Sequence, residues 1–198
     1  MANASTVAYL ARHGETAWSL SGQHTGRTDL PLTERGEEYA RRLGARLRGK
    51  SFGKVFTSPS QRAVRSCELA GFGAVAELLP DLAEWDYGQY EGITSAAIHE
   101  RNPDWQLFRD GCPGGESPGQ VGERADRVLG RITAIQGNVL LFSSRHILCV
   151  LAARWLGLGP ECGRLFTLST ASLSVLGYDP HRPQRLIQLW NDTCHITP

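Results

Sequence analysis

Residues 138–150 read NVLLFSSRHILCV, an apolar run that stops at two serines, an arginine and a histidine before apolar residues resume. The first half has the length and composition of a buried strand. The second half continues as ILCVLAARW, which is typical of a largely buried helix. A strand that turns directly into a helix is the repeating unit of α/β folds, and we expect the polar residues of such a turn to serve binding or catalysis.

Two other stretches repeat this pattern. VAYLARHGET (7–16) and KVFTSPSQR (54–62) each place polar residues directly after a short apolar run, and a helical segment follows each of them. Strands that alternate with helices predict an α/β fold with a mostly parallel sheet. The C-terminal stretches SVLGYD (174–179) and RLIQLWND (185–192) predict two more strands, joined as an edge hairpin.

The helices between these strands can be placed from spacing and capping. Apolar residues recur at every fourth position from Tyr39 to Leu47, Thr33 is placed to cap the start, and Gly49 is placed to end the helix. A shorter helix is expected within residues 59–71, with a proline in its first turn. Residues 81–120 are rich in Trp, Gly, Pro and acidic residues, and predict an irregular, lid-like insertion over a site.

Length and composition favour a single soluble domain spanning 1–198. The formal charge is +1, which gives no general reason to expect nucleic acid or membrane as a partner. The five cysteines form no CxxC pair, so we expect reduced thiols, no metal site and a cytoplasmic protein. The N-terminus lacks the pattern of a signal peptide, and no run of about 18 apolar residues occurs. Monomer and homodimer both remain open.

The polar residues at the three strand ends predict an anion pocket. In open α/β sheets ligands bind at the carboxyl ends of the strands, where successive loops meet. Guanidinium groups match phosphate oxygens in a bidentate way, so phosphate is the expected anion. The residues at the three ends are Arg12 and His13, then Ser58 and Arg62, then Ser143 to His146.

Four stretches together are far more specific than any single strand end. They are RHGETAWSLSGQHTGRTDLPLTERG (12–36), TSPSQRAVRS (57–66), EWDYGQYEG (84–92) and FRDGCPGGES (108–117). They resemble the histidine phosphatase superfamily, in the branch of phosphoglycerate mutases and fructose-2,6-bisphosphatases, and are closest in character to sedoheptulose-1,7-bisphosphatase-like sugar phosphatases. The resemblance implies a three-layer, phosphoglycerate mutase-like α/β fold, a small phosphorylated substrate, and neither cofactor nor metal.

The resemblance also implies roles for particular residues. His13 would be the nucleophile that forms a phosphohistidine, and Glu84 the general acid. Arg12 and Arg62 would clamp the phosphoryl oxygens. Further phosphate or substrate contacts are expected from Ser19, Thr25, Gly26, Arg109, Ser144, Arg145 and His146. Arg109 could equally be an ordinary surface arginine without a ligand contact. His24 is expected to be a loop residue at the mouth of the pocket, and a functional role for it is equally open.

The turn at 143–149 departs from the family pattern, which typically reads S-H-G-H-x-L-R. An ungapped alignment puts Ser144 at the second catalytic histidine, Arg145 at the glycine and Cys149 at the arginine, whereas His146 keeps its place. Sliding His146 into the catalytic position instead needs a length change of two residues. A serine can hydrogen-bond phosphate but carries no charge. Arg145 could restore that charge if it turned inward, or could clash where the backbone approaches the phosphate.

Three functional hypotheses follow. The first is a metal-independent phosphatase that acts on a sugar phosphate or bisphosphate through a phosphohistidine. The second is a weakened family member that binds phosphorylated ligands or a protein partner, because of Ser144. The third is a phosphoglycerate mutase, which the short chain makes less favoured, since mutases shield the phosphoenzyme from water with longer insertions.

Overall fold

The structure is a computed structural model that describes residues 6–196. The predictions for the N-terminus and for a domain spanning 1–198 also include residues 1–5 and 197–198, which lie outside the described residues. Its strands are β1 (Val7–Arg12), β2 (Lys54–Thr57), β3 (Ala76–Leu78), β4 (Asn138–Ser143), β5 (Leu173–Tyr178) and β6 (Arg185–Asp192). Its helices are α1 (Ala17–Ser21), α2 (Glu34–Leu47), α3 (Gln61–Leu69), α4 (Ser95–Arg101), α5 (Leu107–Asp110), α6 (Pro118–Thr133) and α7 (Arg145–Trp155).

The described strands form one sheet in the order β3-β2-β4-β1-β5-β6. The pairs within β3, β2, β4 and β1 are parallel, while β5 runs antiparallel to β1 and β6 antiparallel to β5. The expected mostly parallel α/β sheet is confirmed, and the last two strands do form a hairpin at its edge. The three-residue β3 was not predicted, because AEL is too short to carry a periodic signal.

Both faces of the sheet are covered, which gives the three layers. Alternate residues of a strand point to opposite faces. Ala8 and Leu10 belong to the core cluster that contains residues of α6 and α7, whereas Ala11 packs in a second cluster with residues of α2 and α3. Leu140 and Leu141 are adjacent and fully buried on opposite faces, so β4 reads as a continuous apolar run.

The predicted helices form with small shifts at their ends. The Thr33 hydroxyl accepts the Gly36 N–H (3.0 Å) at the start of α2, and Gly49 lies just beyond the helix at φ +80°. Helix α3 begins after Ser60, not with Pro59 in its first turn.

Helix α6 was missed, because the irregular insertion was extended to residue 120. Its capping box joins Ser117 and Gln120, and its buried residues recur at helical spacing from Val121 to Ile132. The buried face was therefore present in the sequence, with only Gly122 lacking an apolar side chain.

Residues 81–120 hold short helical turns, α4 and α5, and contribute Trp85, Tyr87 and Trp105 to the buried core. The segment is therefore anchored by aromatic burial while it lines one side of the site. Within residues 6–196, no helix combines the length and the apolar character that crossing a membrane requires.

Candidate active site

Three strand ends meet at one edge of the sheet, as the sequence predicted. Arg12 pairs with Ser143, and Thr57 with Phe142, so the residues that follow are neighbours. The His13 N–H donates to the Ser143 carbonyl (2.9 Å). A cavity of about 250 Å³, called here the central pocket, opens at this edge. Among the residues lining it are seven predicted ones: Arg12, His13, Ser19, Thr25, Glu84, Arg145 and His146.

His13 is held in one tautomer. Its Nδ1 lies 2.7 Å from the Gly14 carbonyl oxygen, which can only accept, so Nδ1 carries the proton and Nε2 keeps its lone pair. Burial, followed by the charges of Arg12 and Arg62, holds the pKa of His13 well below its usual 6.5. Gly14 itself packs tightly, since a Cβ there would lie 2.3 Å from the Gly36 carbonyl oxygen. The result is a neutral imidazole with a fixed ring, which is the form that a nucleophile requires.

Two guanidinium groups, that of half-buried Arg12 and that of buried Arg62, flank this imidazole without a carboxylate partner among residues 6–196. Arg12 donates to the Leu168 carbonyl (2.5 Å), and Arg62 donates to the carbonyls of Thr25, Gly26 and Thr28 (3.0 to 3.1 Å). Burial, with the nearby charge of Arg145, lowers the pKa of Arg12 to about 10. The Nε atoms of both arginines are buried and lack a hydrogen-bond partner. An uncompensated buried cation is costly, so the site favours a bound anion.

Glu84 is buried at the start of α7. Its Oε1 accepts the N–H groups of Trp85 and Ile147 (2.9 and 3.0 Å), and its Oε2 accepts that of His146 (3.0 Å). The carboxylate therefore satisfies two of the free N–H groups at the helix start, a task normally performed by the residue that caps the helix. Ser144 occupies the capping position but forms no capping bond.

The turn after β4 contains Ser144 alone. Strand β4 ends at Ser143 and α7 starts at Arg145, so the two extra residues that would bring His146 to the strand end are absent. The Ser144 hydroxyl is buried without a hydrogen-bond partner. His146 lies one position further into the helix, where its Nδ1 is 2.5 Å from the Tyr87 hydroxyl and 3.9 Å from Glu84 Oε2. Burial, followed by the charge of Arg145, holds the pKa of His146 well below 6.5.

Four of the predicted site residues do not line the central pocket: Gly26, Arg62, Arg109 and Ser144. The Gly26 N–H donates to the Glu91 carboxylate (2.9 and 3.1 Å), so it is already bonded. Arg109 is exposed and pairs with Asp110 (2.7 Å), which makes it the surface arginine of the alternative reading. Ser19 does line the pocket, although its hydroxyl is bonded to the backbone N–H and carbonyl of Thr16 in a capping box.

Tyr87 is the main site residue that the sequence did not single out. Its ring stacks on His24 at 4.7 Å, and both side chains line the central pocket. Burial, followed by the charge of Glu84, raises the pKa of Tyr87 well above 10, so the hydroxyl stays protonated. The position of Tyr87 three residues after Glu84, in EWDYG, was the available signal.

A neighbouring cavity of about 390 Å³ shares Glu84 with the central pocket. Its lining is rich in paired charges, including Arg27 with Asp86 (2.7 Å) and Arg124 with Glu116 (2.7 Å). It offers room beside Glu84 for the part of a ligand that extends beyond the anion.

The C-terminal end of β6 holds a separate cluster that the sequence did not suggest. Asp192, Cys194 and His195 place potential metal-ligating atoms within 4.8 Å of one another. Asp192 already accepts bonds from Arg46 Nε (3.3 Å) and from the backbone N–H of Cys194 (3.0 Å). The aspartate is thus satisfied by the protein itself.

A neutral histidine among unpaired arginines, at the carboxyl edge of a parallel sheet, defines a protein that handles phosphoryl groups. The chain belongs to the histidine phosphatase superfamily (branch 1), whose family model matches residues 8–193. It is accordingly an enzyme of the phosphatase class, and the expected family and fold are confirmed.

Curated relatives and solved structures agree with this assignment. The chain is 40% identical over 179 residues to an acid phosphatase of Mycobacterium tuberculosis, a match covering 86% of this chain and 85% of that protein. It is 35% identical over 186 residues to a sedoheptulose 1,7-bisphosphatase of Saccharomyces cerevisiae, covering 77% and 68% of the two chains. A solved structure of a functionally characterised open reading frame of Mycobacterium tuberculosis superposes with a TM-score of 0.88 at 37% identity, over 94% of this chain and 97% of the other.

Proposed function

We propose that this protein is a metal-independent phosphatase that hydrolyses a small phosphorylated metabolite through a phosphohistidine on His13. The observation that carries the proposal is the tautomer of His13. With Nδ1–H bonded to Gly14, the Nε2 lone pair is left free for attack beside the guanidinium groups of Arg12 and Arg62.

The proposed reaction has two displacements. First, Nε2 of His13 bonds to phosphorus as the bond to the leaving oxygen breaks, and Glu84 donates the proton that this oxygen needs. Water then attacks the phosphohistidine, Glu84 takes a proton from it, and the nitrogen–phosphorus bond breaks to release inorganic phosphate. Arg12 and Arg62 neutralise charge on the phosphoryl oxygens in both steps.

We infer that the metabolite is a sugar phosphate. The central pocket of about 250 Å³ suits a phosphate with a small appendage, and the adjoining cavity extends it past Glu84. The sedoheptulose 1,7-bisphosphatase relative supports this class of substrate.

All five thiols are free, which agrees with a cytoplasmic setting.

A second candidate function is binding of a phosphorylated ligand without efficient turnover. The observation that favours it is Ser144, whose buried hydroxyl stands where the resemblance places a second catalytic histidine. Under this alternative the arginines would still bind phosphate, and chemistry would be slow.

A panel of sugar phosphates, assayed for released inorganic phosphate, tests the proposal. We expect turnover well above background, together with an acid-labile phosphoryl group on the protein in rapidly quenched reactions. His13→Ala should abolish both signals, whereas His181→Ala, a change in an exposed loop, should alter neither. Undiminished hydrolysis in His13→Ala would refute the mechanism, and phosphate binding without turnover in the parent protein would favour the second candidate.

A further inference from the structure

The first turn of α7 carries a cation without a partner. Arg145 is the first residue of the helix, and its side chain lines the central pocket together with Arg12 and His13. Among residues 6–196 it has neither a hydrogen bond nor an ion pair. Some exposed arginines, such as Arg41 and Arg127, pair with a carboxylate (2.9 and 2.7 Å), whereas others, such as Arg164, have no such partner within residues 6–196 but lie outside both cavities. The guanidinium of Arg145 therefore has all of its donors available to a ligand.

This position is unfavourable for a cation in the free protein. A positive charge at a helix N-terminus opposes the helix dipole, typically by about 0.3–1 kcal/mol. The first turn of α7 contains no acidic residue of its own, and the Glu84 carboxylate that accepts the N–H groups of His146 and Ile147 offsets this cost only in part. The charge of Arg145 also lowers the pKa of Arg12, second only to burial as a cause. A bound phosphoryl group would relieve both repulsions, which is what a residue retained for ligand binding is expected to show.

The histidines of the central pocket do not supply a cation. His13, His24 and His146 all line the pocket, and burial lowers the pKa of each. Among the basic side chains, the planar guanidinium of arginine best matches the oxygens of a phosphoryl group. Arg145 needs no special backbone, since it lies in regular helix and not at positive φ.

We propose that Arg145 is a catalytic residue that stabilises charge on the transferring phosphoryl group, in place of the histidine that the family has at Ser144. Its planar fork can donate two N–H bonds to two non-bridging oxygens. The altered turn then replaces a histidine by an arginine at the next position along the chain. This inference rests on the proposed phosphatase function.

Steady-state hydrolysis of p-nitrophenyl phosphate by three variants tests the role of Arg145. Arg145→Ala should lower kcat by about a hundredfold, the usual effect of removing one donor that stabilises a transition state, with a smaller change in KM. Arg145→Lys should recover part of the loss, and added guanidinium ion should partly rescue Arg145→Ala. Arg164→Ala, which removes an exposed arginine outside both cavities, is the matched control and should be neutral.

A double-variant cycle with Ser144→His provides the second test. If Arg145 supplies the missing charge, Ser144→His should raise kcat by less than about threefold in the parent protein, but by more than about tenfold in the Arg145→Ala background. Equal gains in the two backgrounds, or full turnover in Arg145→Ala, would overturn the inference.

Comparing the His13→Ala and Arg145→Ala variants distinguishes a failure of this inference from a failure of the proposed function. If His13→Ala abolishes turnover and Arg145→Ala does not, only the role of Arg145 is wrong. If His13→Ala is fully active, the phosphohistidine mechanism itself is wrong.

Discussion

His13 combines two properties that its local bonds create. The Gly14 carbonyl fixes the protonated nitrogen, and burial beside Arg12 and Arg62 disfavours the imidazolium. The first effect leaves the lone pair on Nε2, and the second outweighs the Gly14 bond, so the pKa of His13 stays well below 6.5 and Nε2 stays unprotonated in mildly acidic solution. In the proposed mechanism the nucleophile is thus prepared before substrate arrives, and its preparation depends on the same two arginines that we propose as the phosphate ligands.

This arrangement predicts the pH dependence of the reaction. Because the pKa of His13 lies well below 6.5, the acid limb of kcat/KM should also lie below pH 6.5, once the ionisation of the substrate is corrected for. Removing a nearby positive charge should raise the pKa of His13, so Arg12→Gln should move the acid limb to higher pH as well as weaken substrate binding. Arg164→Gln should leave the profile in place. An acid limb that does not move in Arg12→Gln would contradict this account.

The residues that sequence reasoning placed well are those tied to strand ends. Arg12 and His13 follow directly from the β1 boundary, and parallel register brings them to the β4 turn. Gly26 and Arg109 differ from these residues for one physical reason: their polar groups are already bonded to Glu91 and Asp110. A sequence shows which groups could bind a ligand, but not which of them the fold has already satisfied.

At the scale of elements, α7 depends on a residue far away in the chain. Glu84 accepts the N–H groups of His146 and Ile147, at a separation of more than sixty residues. This contact links the segment after β3 to the helix whose residues Arg145 and His146 line the central pocket. The resemblance implied a catalytic role for Glu84, while its structural role became visible only in three dimensions, because no local sequence pattern links residue 84 to the start of α7.

Glu84→Ala should therefore destabilise the fold as well as reduce activity. The change leaves buried N–H groups without an acceptor, which should lower the free energy of unfolding by about 2 kcal/mol. Glu84→Gln keeps one acceptor oxygen and should lose less. Urea unfolding measures both, with Glu100→Ala, at an exposed position on α4, as the neutral control. Equal stability of Glu84→Ala and the parent protein would show that the contact is dispensable.

For the molecule as a whole, a formal charge of +1 conceals a strongly positive site. Arg12, Arg62 and Arg145 converge on one edge of the sheet, and none has an ion-pair partner within residues 6–196. The histidines of the central pocket respond to this field and to burial by staying neutral. The composition gave no sign of this, because the site depends on where the charges lie and not on their sum.

The buried neutral histidines predict how stability varies with pH. In the unfolded chain His13 and His146 gain a proton as the pH falls below 6.5, while in the folded protein their lowered pKa values delay that uptake. The unfolded state then binds more protons, so the free energy of unfolding must decrease as the pH is lowered below 6.5. The decrease is at most about 1.4 kcal/mol per pH unit for each such histidine, and it ends once the pH reaches the lowered pKa. Urea unfolding in phosphate-free buffer at several pH values between 7 and 5 measures this slope. Replacing both His13 and His146 with Gln should flatten it, and His181→Gln, at an exposed position, should not. Stability that holds constant or rises over this range would mean that the pocket imidazoles accept protons in the folded protein.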